Sequence, residues 1–144
     1  MENTMNNMRN RKEIEEAIAA ADNAIYYLDR ADDALESAGN WGIFDMLGGG
    51  FIATMVKHGK MDDAERELSL ARDAIRKFSK EMQDIGQITG GYLQVDDFMR
   101  FADYFFDGFI ADWMVQSKIK KAREQIWQAR NHIGNIQKQL KQML

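Results

Sequence analysis

Three stretches of this chain repeat apolar residues at alternating steps of three and four, and that pattern narrows the fold more than any other feature. One series runs Met61, Ala64, Leu68, Ala71, Ile75, Phe78, Met82 and Ile85. The C-terminal series runs Ile119, Ala122, Ile126, Ala129, Ile133, Ile136, Leu140 and Met143. Near the N-terminus Ala17, Ala21, Ala24, Leu28, Ala31, Leu35 and Ala38 obey the same rule, flanked by Ile14, Ile18 and Ile25. A sustained repeat of about 3.5 residues keeps one seam turned toward a partner helix, as in coiled coils and long bundles. Small side chains shorten the distance between helix axes, so the alanine-rich first seam implies close approach of its neighbour.

The chain contains no proline. At an average usage of about 5% several would be expected, and their absence suits long unbroken helices. Glycines supply the boundaries. The first helix is expected over about 8–38, ending at Gly39 and Asn40. A short helix is expected over 51–57 and a long one over 61–85, with Asp62, Asp63 and Glu65 at its positive end. The last is expected over 95–142, about 72 Å at 1.5 Å per residue. The fold class is therefore all-α: an elongated single-domain bundle of three long heptad-patterned helices plus one short helix. The 144 residues fit one core.

The first part of the last helix, "FMRFADYFFDGFIADWMV", is apolar around most of its circumference, with only a narrow stripe of Asp96, Arg100, Asp103 and Asp107. Such a helix belongs in the middle of a structure. Gly108 and Asp112 occupy seam positions and break the pattern. The segments "WGIFDMLGGG", "KHGKMDDA" and "RFADYFFDGFIADW" resemble those of a group of bacterial α-helical, coiled-coil-like proteins to which no activity is assigned. The resemblance covers about a third of the chain; it implies an all-helical fold and no particular chemistry.

Charge is distributed unevenly. Residues 1–112 carry 12 Lys+Arg against 22 Asp+Glu, whereas residues 113–144 carry seven against Glu124 alone. A basic tail on an acidic body meets either an anionic partner or another acidic body. An up-down-up packing of the three long helices would leave residues 119–144 overhanging the bundle. The seam Ile119, Ile126, Ile133, Ile136 and Leu140 would then need a second copy to cover it, which makes a homodimer the expected state unless the first helix reaches that far. A protein partner fits the same features; nucleic acid is not expected.

Chemistry is sparse in the sequence. There is no cysteine, which excludes disulfides, thiolate metal sites and cysteine nucleophiles. The Glu-x-x-His pairs of di-metal bundles are absent, because Met55 and Ala129 stand three residues before His58 and His132. Glu13 with Glu16, and Glu81 with Asp84, match the acidic steps by which helical nucleotide pyrophosphohydrolases hold magnesium. Such steps also arise by chance on any charged helix face. Asp103 and Asp107, one turn apart, together with Asp45 or His58, form a candidate set of ligands for a divalent cation. The segment "WGIFDMLGGGFIATMVKHGK" lacks the Lys-Ser/Thr pair of a phosphate-binding loop. Its Trp41, Phe44, Leu47, Phe51 and Ile52 fit either a cap folded over the bundle end or contact with a membrane surface or partner. The cap is the expectation, since an acidic body is repelled by anionic lipid.

No apolar run has the length of a signal peptide or a membrane span, so a cytoplasmic location is expected. No cofactor is expected. The function anticipated from the sequence is a non-enzymatic scaffold or adaptor, with a peripheral membrane protein or a divalent-metal-dependent hydrolase as alternatives.

Overall fold

The computed structural model describes residues 2–42, 60–89, 95–105 and 119–144. They form four helices, α1 (Glu2–Gly42), α2 (Lys60–Thr89), α3 (Val95–Tyr104) and α4 (Ile119–Gln142), and no strand occurs among the described residues. The all-α expectation holds. The short helix expected at 51–57 lies outside the described residues, as do Gly108 and Asp112.

The three heptad seams are the core. Ala17, Ala21, Ala24, Leu28, Ala31 and Leu35 of α1 are fully buried, and so are Ala64, Ala71, Ile75, Phe78, Met82 and Ile85 of α2. From α4 come Ala122, Ala129, Ile133 and Leu140, with Ile126 and Ile136 nearly as enclosed. Polar contacts fix the directions. Arg30 reaches Glu67, while Glu13 and Glu16 lie beside Glu81, so α2 is antiparallel to α1. Arg123 meets Asp32, Arg130 meets Asp29 and Gln137 meets Asp22, so α4 is antiparallel to α1 as well. Both helices thus pack on α1, one on each side of its alanine face.

Helix α3 closes the remaining side. Phe98 and Phe105 are buried, and Phe98 meets Phe78 edge to face, with ring centroids 5.2 Å apart at 76°. Such a pair is worth about 0.5–1.5 kcal/mol beyond the area it buries. Phe101 lies against the His132 ring of α4 at 5.0 Å. The central place expected for the aromatic segment is borne out for Phe98 and Phe105. Arg100 and Asp103, from its polar stripe, are exposed.

Two sequence expectations need correction. A single helix over 95–142 would hold Phe101 and His132 roughly 46 Å apart at 1.5 Å per residue; they are in contact. Helices α3 and α4 are therefore separate. Second, α4 does not overhang. With 41 residues, α1 is about 62 Å long against about 36 Å for the 24 residues of α4, and it covers the seam along its length. Boundaries also shift, because α1 passes Gly39 and Asn40, and α2 passes Gly86. One interior glycine costs about 1 kcal/mol relative to alanine, which a long packed helix absorbs.

Two measurements test this packing. The chain has no cysteine, so cysteines placed at the exposed Arg100 and Asn131 take spin labels selectively. Their separation should reflect the roughly 8–10 Å between packed helix axes plus the label arms, far below the distance along a continuous helix. Ala24→Leu should overpack the α1 face and cost about 1–3 kcal/mol in denaturant unfolding. An unchanged midpoint would mean that the helices are not closely packed there.

Candidate functional site

Outside the core, the described residues gather polar chemistry in three places. The first is the flank where α4 lies on α1. Arg123 donates from Nε to Asp32 Oδ1 at 2.9 Å and from Nη2 to Oδ2 at 3.4 Å, with Glu36 3.9 Å away. Arg130 Nε donates to Asp29 at 2.7 Å. The hydrogen bond to Asp32 holds the Arg123 guanidinium more firmly protonated than usual. Buried Gln137 completes the row: its Nε2 donates to Asp22 at 2.6 Å and to the Ile18 carbonyl at 3.2 Å. The basic segment thus lies on the acidic body of its own chain.

The opposite flank of α1 carries one bidentate pair. Glu67, 6% exposed, accepts from Arg30 Nη2 at 2.8 Å and Nε at 3.1 Å. Arg30 also donates to the Tyr26 hydroxyl at 3.3 Å, and its guanidinium lies 5.8 Å from that ring's centroid. A buried carboxylate needs such a fork, because removing one partner strands a charge. Neither Gln137 nor Glu67 stands out in the sequence; each is an ordinary polar residue one position from an apolar one, and only the neighbouring helix makes it internal.

The third place is acidic. Glu13 and Glu16 of α1 and Glu81 of α2 bring one carboxylate oxygen each to within 4.8 Å of one another. Burial raises the pKa of Glu81 above the ordinary carboxylate range, and the charges of Glu16, Asp84 and Glu13 push it further; Lys77 opposes them. The two acidic steps read from the sequence are thus juxtaposed, with Asp84 exposed beside the group. Oxygen donors so arranged suit a hard cation; without one they repel each other.

The residues singled out in the sequence divide as follows. Asp103 is exposed on α3, while Asp45, His58 and Asp107 lie outside the described residues, so the four-residue metal set is not assembled among those that can be described. Phe44, Leu47, Phe51 and Ile52 also lie outside them. Trp41 belongs to the last turn of α1 by its backbone. Ile126, Ile133, Ile136 and Leu140, expected at a dimer interface, are buried within the chain, and Ile119 packs against the core half-buried. The need for a second copy to cover that seam disappears, because α1 already covers it.

What α4 turns to solvent is different. Lys120, Trp127, Gly134, Lys138 and Lys141 follow one another at steps of seven, seven, four and three, which places them on one face. All but the half-buried Gly134 are exposed, and Trp127 is 59% accessible. A Cβ added at Gly134 would meet nothing within 4 Å. No helix among the described residues is long and apolar enough to cross a membrane. The chain matches no protein-family model, and neither the curated proteins nor the solved structures contain a match to it.

The acidic group makes a pH-dependent prediction. A carboxyl whose pKa is higher in the folded than in the unfolded state favours folding at low pH, and that contribution is lost as pH rises through the folded value. At neutral pH the ionised Glu81 therefore opposes folding. Glu81→Gln should melt higher than the wild type at pH 7, and the gain should vanish below about pH 4, near the unfolded glutamate value. Thermal melts by circular dichroism check this; a lower melting temperature at pH 7 would show that the Glu81 charge is compensated.

Proposed function

We propose that the protein is a non-enzymatic helical scaffold that acts by binding protein, and that it presents the outer face of α4 to a second copy of itself. The observation that supports this reading is Trp127, a large aromatic left in water at the centre of a row of lysines. Tryptophan is among the residues that dominate the energetics of protein interfaces. The occupant follows from charge: the rest of the chain carries the acidic excess, so another copy offers the complementary surface. Cytoplasmic residence is part of the same proposal.

Sedimentation velocity at micromolar concentration tests it. The wild type should sediment as a dimer that loosens as salt rises, since exposed charges are screened. Trp127→Ser should weaken association by about 30-fold or more, the effect of losing about 2 kcal/mol at a hot spot. A wild-type monomer at low and high salt would overturn self-association. Capture of a heterologous acidic protein that depends on Trp127 would then identify the face as an adaptor surface.

The hydrolase alternative draws on Glu13, Glu16 and Glu81. Millimolar Mg2+ that raised the melting temperature of the wild type but not of Glu81→Gln would turn the reading in that direction.

A further inference from the structure

Helices α2 and α4 each pack on α1 and scarcely touch one another, so they stand on opposite flanks of it. Both run antiparallel to α1, and levels on the two flanks can be compared through it. Trp127 lies between Arg123 and Arg130, whose partners are Asp32 and Asp29, and so comes level with Arg30. Lys138 and Lys141 follow Gln137, whose partners are Ile18 and Asp22, and so approach the level of Glu16. On the α2 flank, Arg30 holds Glu67, and Glu13 and Glu16 adjoin Glu81. Each feature of the α4 face has a counterpart at its own height across α1.

The counterparts are chemically complementary. Level with Trp127, the Arg30 guanidinium is pinned by two bonds to Glu67 while its side chain stays 47% exposed. Tyr26 and Leu70 stand exposed beside it. A planar cation held in place next to apolar surface is a stacking platform for a tryptophan. Level with the lysines, Glu13, Glu16 and Glu81 crowd together. Burial acts most strongly on the Glu81 carboxyl; the charges of Glu16, Asp84 and Glu13 follow, each stronger than the opposing Lys77. Lys12 reaches Glu16 only at 4.0 Å. Lys138 and Lys141, in turn, are exposed and have no carboxylate partner among the described residues.

We infer that two copies pair in parallel, the outer face of α4 in each lying on the α1–α2 flank of the other. This rests on the self-association proposed above and assigns its receiving surface and its symmetry. A two-fold axis along the bundle exchanges the flanks of the facing copies without changing level. Trp127 then stacks on the partner's Arg30, and Lys138 and Lys141 meet the partner's Glu13, Glu16 and Glu81. Both contacts are made twice, once at each copy's α4. A two-fold axis across the bundle would instead set α4 against α4, and like charges facing each other oppose association.

Charge reversal on the full chain tests the pairing by sedimentation equilibrium at low salt. One variant carries Lys138→Glu with Lys141→Glu, the other Glu13→Lys with Glu16→Lys, and both should keep the helical circular dichroism. Each alone should dimerise about tenfold more weakly than the wild type or worse, because like charges then face each other at both contacts. An equimolar mixture should recover wild-type association, since cations and carboxylates oppose each other again at both. A spin label on a cysteine at the exposed Asn7 supplies a measurement on the otherwise unaltered chain, and it decides the matter if a charge variant unfolds. Parallel copies should hold the two labels within roughly 20 Å, about two interaxial distances, plus the label arms. An antiparallel pair centred on Asn23 would part them by about 48 Å, at 1.5 Å per residue. A wild-type dimer that depends on Trp127 but shows no recovery in the mixture, or the long separation, would overturn the parallel arrangement and leave self-association standing. A wild-type monomer would overturn both.

Discussion

Everything in this bundle depends on how closely α2 and α4 approach the alanine face of α1. Ala17, Ala21, Ala24 and Ala31 are fully buried, and Ala64 and Ala71 of α2 and Ala122 and Ala129 of α4 are fully buried in the same core. Alanine gives up no rotamer freedom and shortens the separation of helix axes, so burial by this route carries little entropic cost. Close approach has a geometric consequence. It brings polar residues at the seam edges within reach of the neighbouring backbone, and Gln137 bonds the Ile18 carbonyl across that short gap. It also makes register strict, because a shift of one turn would part Arg123 from Asp32 and Arg30 from Glu67 together. The larger residues Phe78, Phe98 and Phe105 then fill the wider space on the α3 side.

How far the sequence foretells this follows from what a heptad records. It marks which face of a helix is inward, and almost every seam residue of the pattern is buried in the described helices. It does not say which helix covers the face, nor whether two in-phase stretches belong to one helix. The frame runs through "FMRFADYFF" and on to Ile119 without losing phase, which makes a single rod the natural reading. Its interruption, Gly108 and Asp112, falls in the interval between α3 and α4, and that is the one sign the sequence offers. With α3 a separate helix, α4 is only 24 residues long and α1 outreaches it. The expected overhang fails on length, and the dimer seam that depends on it fails with it.

The polar sites are legible in proportion to how local they are. Glu13 and Glu16 share a helix face by their spacing alone, and Glu81 sits on the matching stretch of a neighbour, so the pieces of the acidic group can be named without the fold. Their meeting cannot, because it requires the antiparallel register of α1 and α2. Glu67 and Ser79 are invisible in the sequence for a related reason. Both flank the α2 seam, and only the presence of α1 beside one and α3 beside the other makes them internal. An amphipathic pattern separates wet from dry faces, but it does not resolve the borderline positions where buried polar groups collect.

The positive charge of the C-terminal segment divides by residue type, and the division has a physical basis. Its arginines, Arg123 and Arg130, are engaged with Asp32 and Asp29 of α1. A planar guanidinium on a pre-organised fork holds a carboxylate at a helix–helix flank with little loss of freedom. Of its lysines, the described Lys120, Lys121, Lys138 and Lys141 are exposed and make no ion pair among the described residues. An ammonium on a flexible stem is strongly hydrated and profits little from an exposed pair. The charge asymmetry therefore serves two ends. The arginines fix α4 against its own acidic body, and that fixed helix holds Trp127 and the lysines at set spacings on a rigid outer face. Had the lysines and arginines exchanged places, the latch against α1 would be weaker. The order in the sequence keeps the inner contact closed and the outer one open.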